Sequence, residues 1–317
     1  MQASVSSSRP PRQPRSPLKR LAALAPFFSA MRRSPRALGA ATVLLLLLCA
    51  AIFAPWLSTT NPYDSASLDL MNSQLPPAWL PDGNVYFLIG TDNQGADLLS
   101  LILYGLRTSL LVGCLAVALS ATLGTLGGVL SGYFGGWVDT IIMRLADIQF
   151  TFPAMLLALL IGGVTQSILA KHGSEHYAIV VVVLALGIAH WPHFARLVRA
   201  SVVIERKRDY VAAARLVGRG HANIIARQVL PNVTNPIFVL ATMDLGFAIM
   251  TEATLSFLGF GMPANQPSLG TLIKVGYANL FSGEWWTVLF PSLALVILLV
   301  AVNLFGDWLR DYLDPQA

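Results

Sequence analysis

The sequence predicts an all-α, polytopic membrane protein with six transmembrane helices and a cytoplasmic amphipathic helix between spans four and five. Three observations lead there. Hydrophobic residues make up 55% of the 317-residue chain and charged residues only 12%, where a soluble domain carries about 25% charged. Six segments are apolar over the roughly 20 residues that a helix needs to cross about 30 Å of hydrocarbon. The charges between them also segregate, basic on one side and acidic on the other.

The elements follow in order. Residues 1–36 hold Arg9, Arg12, Arg15, Lys19, Arg20, Arg32, Arg33 and Arg36 with no acid, and read as a disordered basic tail on the cytoplasmic side. Residues 37–57 form the first span. Its leucine run is followed by Ala50, Ala51 and Ala54, as at a signal-peptide cleavage site, but a long segment precedes it and Trp56 suits a membrane interface, so it reads as a retained anchor. The loop 58–104 contains Asp64, Asp69, Asp82, Asp92 and Asp97 and neither Lys nor Arg, which places it outside. The remainder, 105–317, is the main membrane domain, with spans at 109–133, 140–164, 177–197, 236–258 and 286–305. An even number of spans puts both termini on the cytoplasmic side, together with the basic loop 198–235.

Span two carries small residues every fourth position: Ala116, Ser120, Gly124, Gly128, Gly132 and Gly136. Such a row lets a neighbouring backbone approach closely, and it predicts a helix buried in protein. Cys49 and Cys114 lie in apolar runs and read as buried thiols rather than a disulfide or metal pair.

No G-x-x-x-x-G-K-[ST], H-E-x-x-H or G-x-S-x-G pattern occurs, so the chain offers no site to hydrolyse ATP and no enzymatic activity or cofactor is expected. His190 and His193 have a spacing that could chelate a metal on a helix. Beside Trp191 and Pro192 at the predicted inner end of span four, they read instead as interfacial. The basic clusters flank apolar spans, which accounts for them without a nucleic-acid partner.

The segment 205–232, ERKRDYVAAARLVGRGHANIIARQVLPN, is too polar to cross a membrane yet has helical periodicity. Arg208, Ala212, Arg215 and Arg219 fall on one side of a wheel, with Tyr210, Ala213, Ala214 and Val217 opposite. Gly218 and Gly220 end the helix. Small side chains opposite a basic stripe suit a helix seated in another protein's groove, and equally a helix lying on anionic headgroups.

AAARLVG followed by QVLPN resembles the cytoplasmic coupling loop of bacterial ATP-binding-cassette (ABC) importer permeases, with Ala212, Ala213, Ala214, Gly218, Leu230 and Pro231 at the family spacing. Ala212 stands where the family has glutamate, so Arg208 and Arg215 lack an acidic helix partner, a loss of about 0.2–0.5 kcal/mol per pair. GTDNQGADLLSLILYGLRTSLLVG at 90–113 is similar to the segment before span two in dipeptide, oligopeptide and nickel permeases, with Ala96 in place of the usual arginine. TEATLSFLGFGMP at 251–263 and NLFGDWLRDYLDP at 303–315 resemble that group's fifth-span ending and C-terminal signature.

The resemblance implies a type I importer permease of the bacterial inner membrane, the shorter second permease of its pair. Its expected partners are a homologous permease in a heterodimer, two ABC ATPase domains, an external substrate-binding protein and the lipid bilayer. Tyr210, Ala212, Ala213, Ala214, Val217 and Gly218 are the expected ATPase-coupling residues. Asp244, in the middle of span five, is either a pathway-lining acid or a structural acid bonded to a neighbouring helix. Glu252 is placed at the outer gate or a subunit interface. A stand-alone secondary transporter using Asp244 and a non-transporting membrane scaffold are the rival readings. The cargo, among peptides, nickel complexes and other small solutes, stays open at this point.

Overall fold

A computed structural model describes residues 24–63, 68–170, 177–263 and 265–313. Most of the predicted disordered tail lies outside the described residues. The part inside differs from the prediction: Leu24–Arg33 is a helix (α1) with Arg32 and Arg33 in its last turn, where they complement the helix dipole. Ser34 then caps the next helix by accepting from the Ala37 N–H, and Pro35 opens it. That helix, α2 (Pro35–Ile52), ends before the predicted 57. Pro55 cannot donate to the Ala51 carbonyl, so the chain breaks at Phe53 and resumes as the short α3 (Ala54–Leu57).

Helix α4 (Leu98–Phe134) starts well before the predicted 109, so the end of the 58–104 loop is helical. Its start is set by Asp97, whose carboxylate accepts from the Ser100 N–H at 3.1 Å and the Ser100 hydroxyl at 2.6 Å. At 37 residues it is about 55 Å long, more than a bilayer's hydrocarbon, and its ends project beyond it. It stops at Gly135 and Gly136, both at positive φ.

Span three is not one straight helix. It is α5 (Gly136–Thr151) followed by α6 (Ala154–Ala170), bent by 92° at the break. Pro153 is the cause: it has no N–H, and it holds Phe152 in an extended conformation (φ −95°, ψ 134°). Among the described residues five helices are individually long and apolar enough to span, and six if the bent pair counts as one broken span.

The chain continues with α7 (Ala178–Glu205), which contains Pro192, then α8 (Asp209–Leu216) and α9 (His221–Ile224). A π turn over Ile225–Val229 absorbs Pro231, which has no N–H to offer Arg227, and leads into α10 (Leu230–Leu258). Helices α11 (Leu269–Asn279) and α12 (Trp286–Leu313) complete the described chain. Among the described residues there is no strand, only an isolated bridge from Thr91 to Asp97.

The α4–α7 pair is the backbone of the bundle, and the small-residue row explains it. A Cβ on Gly124 would lie 2.3 Å from the Phe194 Cβ, one on Gly128 2.6 Å from the Ala195 carbonyl oxygen, and one on Gly132 2.8 Å from the Val202 Cβ. The seam ends there, since Gly136 has nothing within 4 Å. Exposed Leu, Ile, Val and Phe elsewhere on the spans, such as Leu45, Leu160 and Phe247, face a solvent as apolar as they are. Both cysteines are free, but Cys114 is exposed on the helix surface rather than buried.

Candidate functional site

Two groups of residues stand out: the polar segment after α7 and three buried titratable side chains within the spans.

The segment after α7 is held from several sides. Helix α8 begins at Asp209, an acid in the first turn. It ends in a Schellman motif: the Gly218 N–H donates to the Arg215 carbonyl at 2.9 Å and the Arg219 N–H to the Ala214 carbonyl at 3.1 Å. Gly218 has φ +78° and open space around it, so this glycine is required by its conformation rather than by crowding. Val211 and Ala214 are buried in a cluster with Tyr133, Val198, Val202 and Ile224. Ala214 therefore faces its own chain, away from the surface on which the wheel placed it. The predicted residues left exposed are Tyr210, Ala212, Ala213, Val217 and Gly218, joined by Leu216, which is 88% exposed. Leu216 was not singled out from the sequence, although it adjoins Val217 at the helix end.

Tyr210 straps the loop together. Its hydroxyl donates to Glu205 at the end of α7 and accepts from the Asn232 amide at 2.9 Å, at the start of α10. Burial, then the bond to Glu205, pushes its pKa up to about 12, so the phenol keeps the proton it donates. The two arginines lacking a helix-borne acid find other partners. Arg208 lies 3.8 Å from Glu205, and the Arg215 guanidinium stands 5.3 Å over the Tyr133 ring. Tyr133, at the end of α4, also meets His221 Nδ1 through its hydroxyl at 3.0 Å, and its carbonyl accepts from Arg206 at 3.2 Å.

Inside the spans, Asp244 and His190 are both buried, with Asp244 Oδ1 2.8 Å from His190 Nδ1. Asp244 Oδ2 has no hydrogen-bond partner in the protein. The interfacial placement of His190 does not hold: α7 runs on to Glu205, which puts His190 near mid-helix, opposite the middle of α10. His193 packs against Phe150 instead, centroid to centroid 4.8 Å. No group of three metal-ligating side chains occurs among the described residues.

Glu252 is fully buried and belongs to a different contact. Ser109 Oγ donates to its Oε2 at 2.8 Å, and Ser256 Oγ to its Oε1 at 2.7 Å. Each serine oxygen in turn accepts a backbone N–H, from Leu269 at 3.2 Å and Met262 at 3.0 Å. The carboxylate thus ties α4, α10 and the first N–H of α11 into one network. Asp244 and Glu252 share a helix but not a site.

Residues 124–317 match the family described as "Binding-protein-dependent transport system inner membrane component". The chain belongs to that family. Residues 24–77 match a second model, the N-terminal transmembrane domain of oligopeptide transport permease C. The permease is 37% identical over 290 residues to the di/tripeptide transport system permease protein DppC of Pseudomonas aeruginosa, covering 92% of this chain and 91% of the relative. It is 38% identical over 290 residues to DppC of Escherichia coli K12, covering 92% of each. Among solved structures, the MetNI methionine ABC transporter superposes with a TM-score of 0.51 at 17% identity, covering 68% of the permease and 96% of that chain, a likeness of fold. The protein is thus a multi-pass inner-membrane permease subunit of an ABC importer, a transport component rather than a catalytic subunit. This sets aside the stand-alone transporter and the scaffold.

Proposed function

We propose that this permease forms half of the pathway by which an ABC importer carries short peptides across the inner membrane. A homologous permease would supply the other half, two ATPase domains the energy, and an external binding protein the cargo. Both termini and the 198–235 loop face the cytoplasm, and no cofactor is assigned to this chain. The observation that carries the peptide reading is the 36–38% identity, along nine-tenths of both chains, to relatives named as di/tripeptide, dipeptide and D,D-dipeptide permeases.

In this reading α8 docks on the ATPase through Ala212, Ala213, Leu216, Val217 and Gly218. Ala214 supports the docking face from behind. Because Tyr210 joins Glu205 to Asn232, a displacement of α8 is delivered to α7 and α10 together. Asp244, with one oxygen lacking a protein partner, is the pathway candidate. Glu252, fully bonded, holds the 252–269 turn in the outer half.

The test is purification of the permease in mild detergent from its native membrane, identifying what accompanies it, beside a Leu216→Asp variant. An ATPase and a second permease should accompany the parent. The variant should retain the permease and lose the ATPase, since Leu216 is nearly all exposed and a charge there leaves the fold alone. Uptake of a labelled dipeptide, abolished by deleting the gene, tests the cargo. A parent that emerges without an ATPase, or cells that keep full uptake, would sink the reading.

A further inference from the structure

We propose that Gln149 is a positioning residue for transport, holding a hinge at Pro192 in α7 through which movement of the 205–220 segment reaches His190 and Asp244. The inference rests on the coupling role proposed above.

Pro192 lies inside a membrane-spanning helix. It has no N–H, so the carbonyl of Ile188, four residues back, loses its helical donor. Ile188 is 37% exposed, and in the hydrocarbon no water replaces the missing bond. Gln149 of α5 does. Its Nε2 donates to the Ile188 carbonyl at 2.5 Å and to the Ala189 carbonyl at 3.0 Å. Its Oε1 accepts from the Trp191 indole at 2.8 Å. Every contact of this one amide falls on the turn that the proline interrupts.

The placement makes it more than a local repair. Below Gln149, α5 is clamped to the inner half of α7: Asp139 receives Arg199 Nη2 at 2.7 Å, Asp147 receives Arg196 at 2.6 Å, and Arg196 stands 3.9 Å over the Phe150 ring. Above it, the chain turns through 92° at Phe152 and Pro153. The α5 helix and the inner part of α7 therefore form one body, and Gln149 carries its hydrogen bonds up to the turn that Pro192 interrupts. On the other side of the same turn, His190 reaches Asp244, while Gly124 and Gly127 of α4 leave room for Trp191 and Phe194. The inner part of α7 runs on through Glu205 into α8. Helices kink at prolines and where a side chain enters the backbone ladder, and at this turn of α7 the two coincide.

The experiment is a double-mutant cycle in the reconstituted importer, reading transport per ATP hydrolysed. Gln149→Ala should leave the complex assembled and hydrolysing ATP, with transport per ATP down about tenfold, the scale set by leaving an acceptor in hydrocarbon without its donor. Pro192→Ala restores the N–H for Ile188 and stiffens α7, so it should lower the ratio as well. The double variant should be no worse than Pro192→Ala alone, because Gln149 then has nothing to replace. Multiplying losses in the double variant would overturn the proposal. So would a lower yield of complex with an unchanged ratio, which is what a merely structural glutamine would give. A parent that assembles with no ATPase counts against the proposed function instead, and is read before the cycle begins.

Discussion

Asp244 and Glu252 lie eight residues apart on α10 and are both buried, yet they are opposite kinds of acid. Glu252 is closed. Both of its oxygens receive serine hydroxyls, and each serine oxygen in turn accepts a backbone N–H. Every polar side-chain atom of that network has a partner in the protein, and removing Glu252 or either serine strands a donor. Asp244 is open: one oxygen meets His190, the other meets nothing in the protein. A closed buried carboxylate locks geometry, while an open one retains a capacity to respond. The two should therefore separate stability from transport.

The largest effect is expected at Glu252. Glu252→Ala strands two buried hydroxyls and should cost about 2–5 kcal/mol, seen as a large fall in the thermal stability or yield of the purified complex. A well-folded variant would show that the network is not what holds α4, α10 and α11 together. Ser109→Ala should cost less, about 1–3 kcal/mol, by leaving the Leu269 N–H and one carboxylate oxygen unpartnered. Asp244→Asn keeps an acceptor for His190 and should cost about 1 kcal/mol or less, but it should depress peptide uptake strongly. If uptake survives and stability falls, Asp244 is the structural acid and the contrast collapses.

A third acid sharpens the point at the smallest scale. Glu284 is buried ahead of α12, with Oε2 lacking a partner. Burial, and then the neighbouring Asp92, holds its pKa above the ordinary 4.5. Since the folded-state value is raised, its favourable contribution is complete below about pH 4.5 and is lost as the pH rises through the folded-state value. Glu284→Gln should thus raise the melting temperature at pH 7 by roughly one or two degrees, and the gain should fade towards pH 4. A gain that grows with acidity would reverse the sign and exclude this account.

The sequence made some of this visible and hid the rest for physical reasons. The α4 row was legible because a four-residue repeat of Gly and Ala has one structural use in a long apolar helix. The end of α8 was legible from Gly218, because a left-handed cap demands that residue. The break in span three was not read, since hydropathy is blind to a bend within an apolar run, although Phe152 before Pro153 was the signal. The inward turn of Ala214 was missed because a helical wheel assigns two faces without saying which one meets the parent protein. The His190–Asp244 and Gln149–Pro192 pairings depend on helices brought together from 54 and some 40 residues apart, and no local pattern encodes them. Once α5 and α7 are known to be neighbours, however, an amide beside an intrahelical proline is a readable clue.

The inward burial of Val211 and Ala214 has one more consequence. With Val211 and Ala214 turned to its own chain, α8 and its cap leave Ala212, Ala213, Leu216 and Val217 as a short exposed strip, and under the docking proposed above the pairing specificity lies in those few side chains. Exchange of the motor between related importers then becomes a matter of rewriting one helical turn and its cap. The membrane domain could be inherited unchanged while its power source was replaced.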